Sequence, residues 1–370
     1  SGSGIIEGMG FRTGIVGLPN VGKSTLFNAL ARAHAPTSNY PFCTIEPHVG
    51  IVMVPDPRLD RIASIYQPPK VTPTHLEFID IAGLVEGASH GEGLGNQFLS
   101  QIRGVDLMVH VVRCFEAADI VHITPEIDPV HDIAIIETEL ALKDLETVTK
   151  RSEKTAKLVK SGEPQAKKEM EALEKLKSTL CEGKSIRLFS WNEEESTLIR
   201  EMALLTAKPV VYCANVSEKD LPQGGALAKK VSEIAIKEKA PAVLISSKLE
   251  AEIIDLAANE QEEFLRESGI KRSALISLIQ EGYALLNLVT FFTVNANELR
   301  AWTIPKGTRA PQAAGAVHSD FEKGFIRAEV IHYGDLDQLG SPHAVKEKGR
   351  LRLEGKEYVV QDGDVVLFRI

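Results

Sequence analysis

The segment Gly17–Ser24, GLPNVGKS, constrains this chain more than any other feature, because it matches the pattern G-x-x-x-x-G-K-[ST] completely. Apolar Ile15 and Val16 precede it as the end of a strand, and residues 25–30 follow it with helical spacing. This strand, loop and helix predict a backbone that surrounds phosphates with N–H groups and with the N-terminus of the helix. An ordinary glycine-rich turn is the alternative, but such a turn would not require Lys-Ser at the start of the helix.

The residues at the end of this loop have distinct predicted roles. Lys23 reaches the β- and γ-phosphates and is a candidate catalytic group, and Ser24 is placed to ligate Mg²⁺. A nucleoside triphosphate is therefore the expected ligand. The loop residues predicted to contact it are Asn20, Val21, Gly22, Lys23, Ser24 and Thr25.

Length and composition limit the other possibilities. With 370 residues the chain is too long for one typical core, so two or three domains are expected. The net charge of −9 argues against binding nucleic acids or membranes through total charge, although a local basic patch can still bind RNA. The sequence has neither a run of about 18 apolar residues nor a signal-peptide pattern. A cytoplasmic protein without membrane contact is expected.

The leader and the cysteines carry little functional information. Residues 1–9 are expected to be a non-native or disordered leader, because Ser1–Gly4 precedes a natural start near Met9.

The cysteines have no C-x-x-C spacing, so reduced thiols are favoured over a disulfide framework or a zinc site. They are Cys43, Cys114, Cys181 and Cys213.

Residues 10–130 are predicted to form the first part of a nucleotide-binding domain. Apolar strand-like runs at residues 48–54, 75–81 and 107–115 alternate with helical segments, which indicates a mainly parallel α/β sheet. The loop at residues 39–47 places Thr44 between two prolines. Phosphate-loop proteins keep a threonine that binds Mg²⁺ in this part of the chain, so Thr44 is a candidate metal ligand, with a plain surface threonine as the alternative.

A second loop with candidate metal-binding and catalytic residues begins at residues 80–83, DIAG, which follow an apolar strand and match D-x-x-G. Asp80 is expected to hold Mg²⁺ through water, and the Gly83 N–H is a candidate catalytic group that meets the γ-phosphate. Leu84 occupies the position where many triphosphatases place a glutamine that orients water, which an alkyl side chain cannot do. His90 and His122 are nearby titratable candidates, and solvated loop histidines are the alternative.

Residues 131–205 are predicted to form an inserted antiparallel helical hairpin. Apolar residues on one heptad seam among many Lys and Glu residues indicate a long amphipathic helix, and the segment Ser161–Pro164 breaks it. The seam residues are Ile135, Leu142, Leu145, Ala156 and Val159, and the second stripe is Ala166, Met170, Leu173 and Leu180. Two roles are possible for this hairpin: an arm that packs on the domain with its charged faces in solvent, or an arm that binds a partner.

Residues 206–285 are predicted to complete the nucleotide domain and to contact the base. The strand 209–214 ends at Asn215, Val216 and Glu218, at the position of the N-K-x-D motif that reads guanine in GTP-binding proteins. Because Glu replaces Asp and Val replaces Lys, guanine preference should weaken. The strand 242–245 ends at Ser246-Ser247-Lys248, whose backbone N–H groups can close over the base. All these motifs follow strands, where open α/β sheets bind their ligands.

Residues 286–370 are predicted to be a small β-rich module with about one helix. Strand-like runs lie at residues 289–294, 298–304, 358–360 and 365–368, and Asp362-Gly363 predicts a hairpin turn between the last two. No catalytic spacing is present in this module.

Taken with these motifs, the chain resembles the YchF/Obg-like ATPase family of translation-factor-related P-loop proteins. The resemblance covers nearly the whole chain. It rests on residues 17–24, 39–47, 80–85, 91–96 and 215–218, and on residues 301–304, 310–315 and 325–330, which are similar to the family's TGS domain, a β-grasp module.

The resemblance implies a G-domain fold with an inserted coiled-coil arm, and slow hydrolysis of ATP in preference to GTP. It also implies ribosome association and links to stress and antioxidant responses. Asn20 matches a position that related proteins use for K⁺, Leu84 matches the family's hydrophobic substitution, and His122 resembles a histidine proposed to assist catalysis. RNA contact through the arm or the TGS domain and a monomeric state are further expectations.

Four functional readings follow from the sequence. A nucleotide-switched ATPase explains every motif, and a GTPase of the same build is not excluded by the phosphate-side residues. A metabolic P-loop kinase is disfavoured by the base motif, the helical arm and the C-terminal module. A scaffold whose nucleotide is purely structural is the last alternative.

Overall fold

The computed structural model describes residues 11–33, 48–81, 101–116 and 127–370. Its strands are β1 Phe11–Val16, β2 Val49–Met53, β3 Lys70–Thr72, β4 His75–Asp80, β5 Leu107–Arg113, β6 Val210–Asn215, β7 Ala242–Ile245, β8 Leu288–Val294, β9 Glu298–Pro305, β10 Arg327–His332, β11 Arg352–Glu354 and β12 Asp364–Arg369. Its α-helices are α1 Lys23–Ala33, α2 Pro57–Tyr66, α3 Pro129–Lys160, α4 Pro164–Cys181, α5 Glu193–Glu201, α6 Gly225–Glu238, α7 Ser247–Ile253, α8 Ala258–Glu267, α9 Ala274–Leu285, α10 Ala310–Val317, α11 Ser319–Gly324, α12 Tyr333–Leu339 and α13 Pro342–Glu347.

The chain divides into two compact units. Of the described residues, the nucleotide unit contains residues 12–32, 78–81, 101–116 and 127–278, and the C-terminal unit contains residues 11, 33, 48–77 and 279–370. The limits predicted from the sequence, at residues 130, 205 and 285, stay predictions. Within the described residues, no helix is long and apolar enough to cross a membrane.

The first sheet has the strand order β2-β4-β1-β5-β6-β7. The pairs β1–β5, β5–β6 and β6–β7 are parallel, and Val112 lies opposite Ala214 while Asn215 lies opposite Ile245. Every residue of β5 and β6 is buried, as expected for strands that are covered on both faces. The predicted α/β class is confirmed, and the carboxyl ends of β1, β4, β6 and β7 carry the predicted motifs.

The helical hairpin is formed by α3 and α4, which pack against each other. Arg151 Nε donates to Glu169 Oε1 over 2.6 Å and Thr155 Oγ1 donates to the same atom over 2.7 Å, which fixes the register of the two helices. Their shared core includes Val148, Leu173, Leu176 and Leu180. The predicted second stripe is therefore largely correct.

The predicted seam of the first helix is only partly correct, because Leu145 packs against the hairpin core but Leu142 does not. Leu142 is 51 % exposed, whereas the buried face contains Ile133, Ile136 and Leu140. The buried face also includes Asp144, whose carboxylate accepts hydrogen bonds from the N–H groups of residues 205 and 206. A buried acidic residue interrupts the apolar pattern, so the predicted seam is displaced toward the edge of the buried face.

The C-terminal unit has a second sheet of order β11-β10-β12-β8-β9-β3. β8 and β9 form an antiparallel pair, and β12 runs parallel to β8 and antiparallel to β10. One core contains Phe291, Phe325 and Phe368 with alanines of α10. A second core joins Leu59 and Ile62 of α2 to this sheet, and β3 pairs in parallel with β9.

Two predictions for this module are corrected. The described module contains four short helices, α10 to α13, rather than about one. Residues 358–360 do not form a hairpin with β12, because Ala310 N donates to Tyr358 O and Val360 N donates to Thr308 O. The predicted turn is present, since Gly363 has φ +87°, but the strand after it pairs with β10 and β8.

Candidate nucleotide-binding site

The phosphate-binding loop joins β1 to α1 and has the backbone that its glycines allow. Gly22 has φ +99° and Asn20 has φ +61°, a left-handed region that favours Gly and tolerates Asn. A Cβ at Gly17 would lie 2.5 Å from Val111 O, so the close approach of loop and β5 requires glycine. Lys23 is only 8 % exposed, and its Nζ donates to Leu18 O over 2.8 Å. The loop therefore holds its lysine against its own backbone.

The two described candidate metal ligands lie next to each other. Ser24 Oγ donates to Asp80 Oδ2 over 3.2 Å, which brings the start of α1 to the end of β4. Mg²⁺ prefers oxygen donors and usually keeps several water ligands. The Ser24 hydroxyl would ligate the ion directly, and the carboxylate beside it would hold the ion through one of those waters.

Asn215 connects the phosphate-binding loop to the end of β7. Its Nδ2 donates to Val21 O over 2.8 Å, and its Oδ1 accepts from Ser247 N over 2.9 Å. The amide nitrogen has two N–H groups, and one of them makes no hydrogen bond to the described residues. Adenine and guanine both present an N7 acceptor, so Asn215 has no means of telling them apart.

The other predicted base residues differ in exposure. Val216 is 3 % exposed and its N–H donates to Ile245 O, so its side chain offers little surface to a base. Glu218 is exposed and begins the short 3-10 helix Glu218–Asp220. Ser246 caps α7, with its Oγ 3.5 Å from Leu249 N, and Lys248 is exposed beside Glu252.

Ser247 has an unusual hydroxyl for a buried position. The residue is 2 % exposed, and its Oγ has no hydrogen-bond partner within the part of the chain that the structure describes. A Cβ on Gly22 would lie 3.7 Å from this oxygen. The hydroxyl thus borders the phosphate-binding loop near the carboxyl end of β7.

Several predicted residues lie outside the described ranges. Thr44, Gly83 and His122 are among them, as are Leu84 and His90. The described structure therefore brings together Lys23, Ser24, Asp80, Asn215 and Ser247, and leaves the roles predicted for the other loops as predictions.

A buried charge network beside the phosphate-binding loop was missed by the sequence reasoning. Arg187 Nη2 lies 2.6 Å from Glu137 Oε1 and 3.2 Å from Glu238 Oε2. Tyr212 OH donates to the same Glu238 oxygen over 2.7 Å. Burial works to raise the pKa of Glu137, but Arg187 and a hydrogen bond from Ser185 lower it below its usual value. The network joins the root of the helical hairpin to β6 and α6.

His110 connects this network with the loop. It is 2 % exposed, lies opposite Val16 in the sheet, and its ring centroid is 5.7 Å from that of Tyr212. Burial lowers its pKa to about 4, against the effect of Glu137 and with help from Arg187 and Lys23. A histidine in the middle of the apolar run Leu107–Arg113 was the sequence signal for it.

Comparison with known proteins gives a consistent result. Residues 12–157 match a family model described as a 50S ribosome-binding GTPase, and residues 288–370 match the C-terminal model of YchF GTPases, described as a protein of unknown function (DUF933). The ribosome-binding ATPase YchF of Haemophilus influenzae is 52 % identical over 98 % of this chain and 99 % of that protein. The corresponding protein of Bacillus subtilis is 51 % identical over the same shares.

Similarity extends to animal and fungal proteins. Obg-like ATPase 1 of Gallus gallus is 44 % identical, with 98 % of this chain and 93 % of that protein covered. The solved structure of the Schizosaccharomyces pombe YchF GTPase superposes with a TM-score of 0.89 at 39 % identity, and covers 98 % of this chain and 99 % of that one.

Proposed function

The chain belongs to the YchF family, and from that premise we propose that it is a nucleotide-switched ATPase that binds ATP in preference to GTP and hydrolyses it slowly. In this proposal the closure of its loops over the triphosphate controls association with the ribosome. A GTPase of the same build is the alternative, and it has support in the names of relatives, which include both ATPases and GTPases.

The loss of the guanine-reading residues at the base end is the observation that carries the proposed preference for ATP over GTP. A guanine site needs a carboxylate that accepts from two adjacent N–H groups, and Glu218 is one methylene longer than the Asp of that motif. Val216, in place of the lysine that packs along guanine, is buried. Asn215 meets an acceptor that both purines share. Nothing in this set favours guanine.

The phosphate end supplies binding and the metal site. Lys23 and the loop N–H groups bind the phosphates, and Ser24 with Asp80 holds Mg²⁺, whose charge offsets that of the β- and γ-phosphates. Thr44 is proposed as a further metal ligand, and Gly83 as the N–H donor to the γ-phosphate. K⁺ beside Asn20 is a finer proposal that rests on the family resemblance.

Slow turnover follows from the residue after Gly83. Leu84 has no polar atom in its side chain, so it has no means of orienting the attacking water. His122 is proposed to assist that water instead. The proposal places the rate under the control of groups that come together only when the loops close.

Titration calorimetry with non-hydrolysable ATP and GTP analogues tests the nucleotide preference. The parent protein is expected to bind the ATP analogue more tightly than the GTP analogue, because the Lys and Asp that read guanine are replaced by Val216 and Glu218. The double variant Val216→Lys/Glu218→Asp should gain affinity for the GTP analogue, and Lys23→Ala should bind neither. Tight GTP binding with no ATP binding by the parent protein would overturn the proposal.

Ribosome co-sedimentation with ATP, ADP or no nucleotide tests the partner. The proposal predicts that sedimentation changes with the nucleotide and that this dependence disappears in Lys23→Ala. Unchanged partner binding in that variant would support a scaffold with a structural nucleotide. RNA contact through the hairpin or the C-terminal unit, a monomeric state and a cytoplasmic location complete the proposal.

A further inference from the structure

Charge is segregated along the helical hairpin. Residues 150–168, which we call the arm tip, include seven Lys or Arg and two Glu. The first part of α3, residues 129–149, has five acidic residues and one Lys. In a protein of net charge −9, seven of the ten Lys and Arg residues of the hairpin are thus gathered at its far end.

Two of the seven basic residues are already paired. Arg151 lies 2.6 Å from Glu169 and Lys168 lies 3.3 Å from Glu194. The other five are exposed lysines with no ion pair within the described ranges. They are Lys150, Lys154, Lys157, Lys160 and Lys167.

Helix stability explains only some of these lysines. Lys157 and Lys160 are in the last turn of α3, where a positive charge complements the helix dipole. Lys150 and Lys154 are outside that turn. Lys154 is four residues from Lys150 and three from Lys157, and like charges at these spacings on a helix repel each other. The positions therefore favour an external anion over a role within the helix.

The lysines lie on one face of the hairpin. Lys150, Lys154 and Lys157 recur at intervals of four and three residues, which places them on one ridge of α3. The same periodicity puts the buried Val148 and Thr155 on the opposite side. Because Arg151 and Thr155 both contact Glu169, Lys167 lies near the same level on α4.

The composition of the hairpin indicates the kind of partner. Successive lysines on the ridge are about 4.5–6 Å apart along the axis, from a rise of about 1.5 Å per residue, so they form a row of one charge sign. Residues 129–181 contain no Phe, Tyr or Trp on which an unpaired base could stack. Leu158 is the exposed large apolar side chain in the tip, which offers little to a protein segment.

We propose that the arm tip docks on the phosphate backbone of a structured RNA through Lys150, Lys154 and Lys157. The contact positions the hairpin without reading sequence, because phosphates carry no base identity. This inference rests on the proposed association with the ribosome, and names the part of the chain and the chemistry through which RNA is held.

Binding of the full chain to an RNA duplex of about 20 base pairs tests the inference across a range of salt concentrations. The variant Lys150→Ala/Lys154→Ala/Lys157→Ala should bind at least about tenfold more weakly at about 100 mM salt, and its salt slope should fall by about 2–3. The control Lys177→Ala/Lys229→Ala/Lys237→Ala removes the same charge elsewhere in the nucleotide unit and should bind like the parent. The variant Lys150→Arg/Lys154→Arg/Lys157→Arg should bind like the parent, and ATP turnover should be unchanged in all variants.

The outcomes separate this inference from the proposed function. Equal duplex binding by the tip variant and the control would overturn the inference, and so would tip-dependent binding to polyglutamate without binding to RNA. If the tip variant sediments with ribosomes as well as the parent does, the inference fails and the proposed function stands. If the parent binds duplex through the tip but never sediments with ribosomes, the ribosomal role fails and the tip contact stands.

Discussion

Replacing His110 by Gln tests the electrostatics beside the phosphate-binding loop. The imidazole is buried between β1 and β6, and burial lowers its pKa to about 4, opposed by Glu137 and assisted by Arg187 and Lys23. An uncharged glutamine keeps a polar side chain at this position but has no proton to gain. The substitution should therefore change the response of stability to acid.

The sign and size of the effect follow from the two pKa values. In the unfolded chain a histidine has a pKa of about 6.5, so between about pH 6.5 and 4 the unfolded chain binds the proton and the folded protein does not. Stability therefore falls as the pH falls through this window. The whole effect is roughly 3 kcal/mol, and the part between pH 7 and 5 is about 2 kcal/mol.

Urea unfolding at pH 7 and pH 5 measures this difference. A Trp302→Phe background leaves Trp191, which lies in the nucleotide unit, as the fluorescent reporter. In that background, the parent should lose about 2 kcal/mol more than His110→Gln between the two pH values. His131→Gln, an exposed site in the same unit, is the matched control and should follow the parent. If His110→Gln loses as much stability as the parent does, the reasoning about a buried neutral imidazole is wrong.

Two further predictions address packing and the loop. Asp144→Ala leaves the N–H groups of Leu205 and Thr206 without their acceptor. It should lower the free energy of unfolding by about 3 kcal/mol in urea titrations. A loss below about 1 kcal/mol would contradict the role assigned to Asp144. Gly22→Ala forces a Cβ to within 2.3 Å of Asn215 Nδ2 at φ +99°, and should weaken ATP-analogue binding at least about tenfold in calorimetry. Parent-like affinity would show that this contact relaxes without cost.

Local sequence patterns predicted most of the elements around the site. The phosphate-binding loop, the DIAG segment and the strand ending at Asn215 each follow a short apolar run. Because parallel strands place their carboxyl ends at one edge, the motifs were expected to meet. Ser24 and Asp80 are indeed within 3.2 Å. Strands β7 and β8 also lie within a residue of their predicted limits.

Patterns failed where a distant residue decided the outcome. The turn at Asp362-Gly363 was predicted from its own residues. The strand that follows it, β12, pairs with β10 and β8, which lie far away in sequence and so leave no local signal. The buried face of α3 includes Asp144, which is stable there only because residues 205 and 206 supply donors. Neither partner is visible from the local pattern.

The sequence by itself determined that this chain binds a nucleoside triphosphate, since the loop carries its own glycines, lysine and serine in one contiguous segment. Only the tertiary structure decided that Asn215 joins the loop to β7, and that His110 is held neutral beside Lys23. It also decided that α2 and β3 pack with the C-terminal sheet. The physical reason is that hydrogen bonding, desolvation and packing depend on neighbours in space, whereas a motif records only neighbours along the chain.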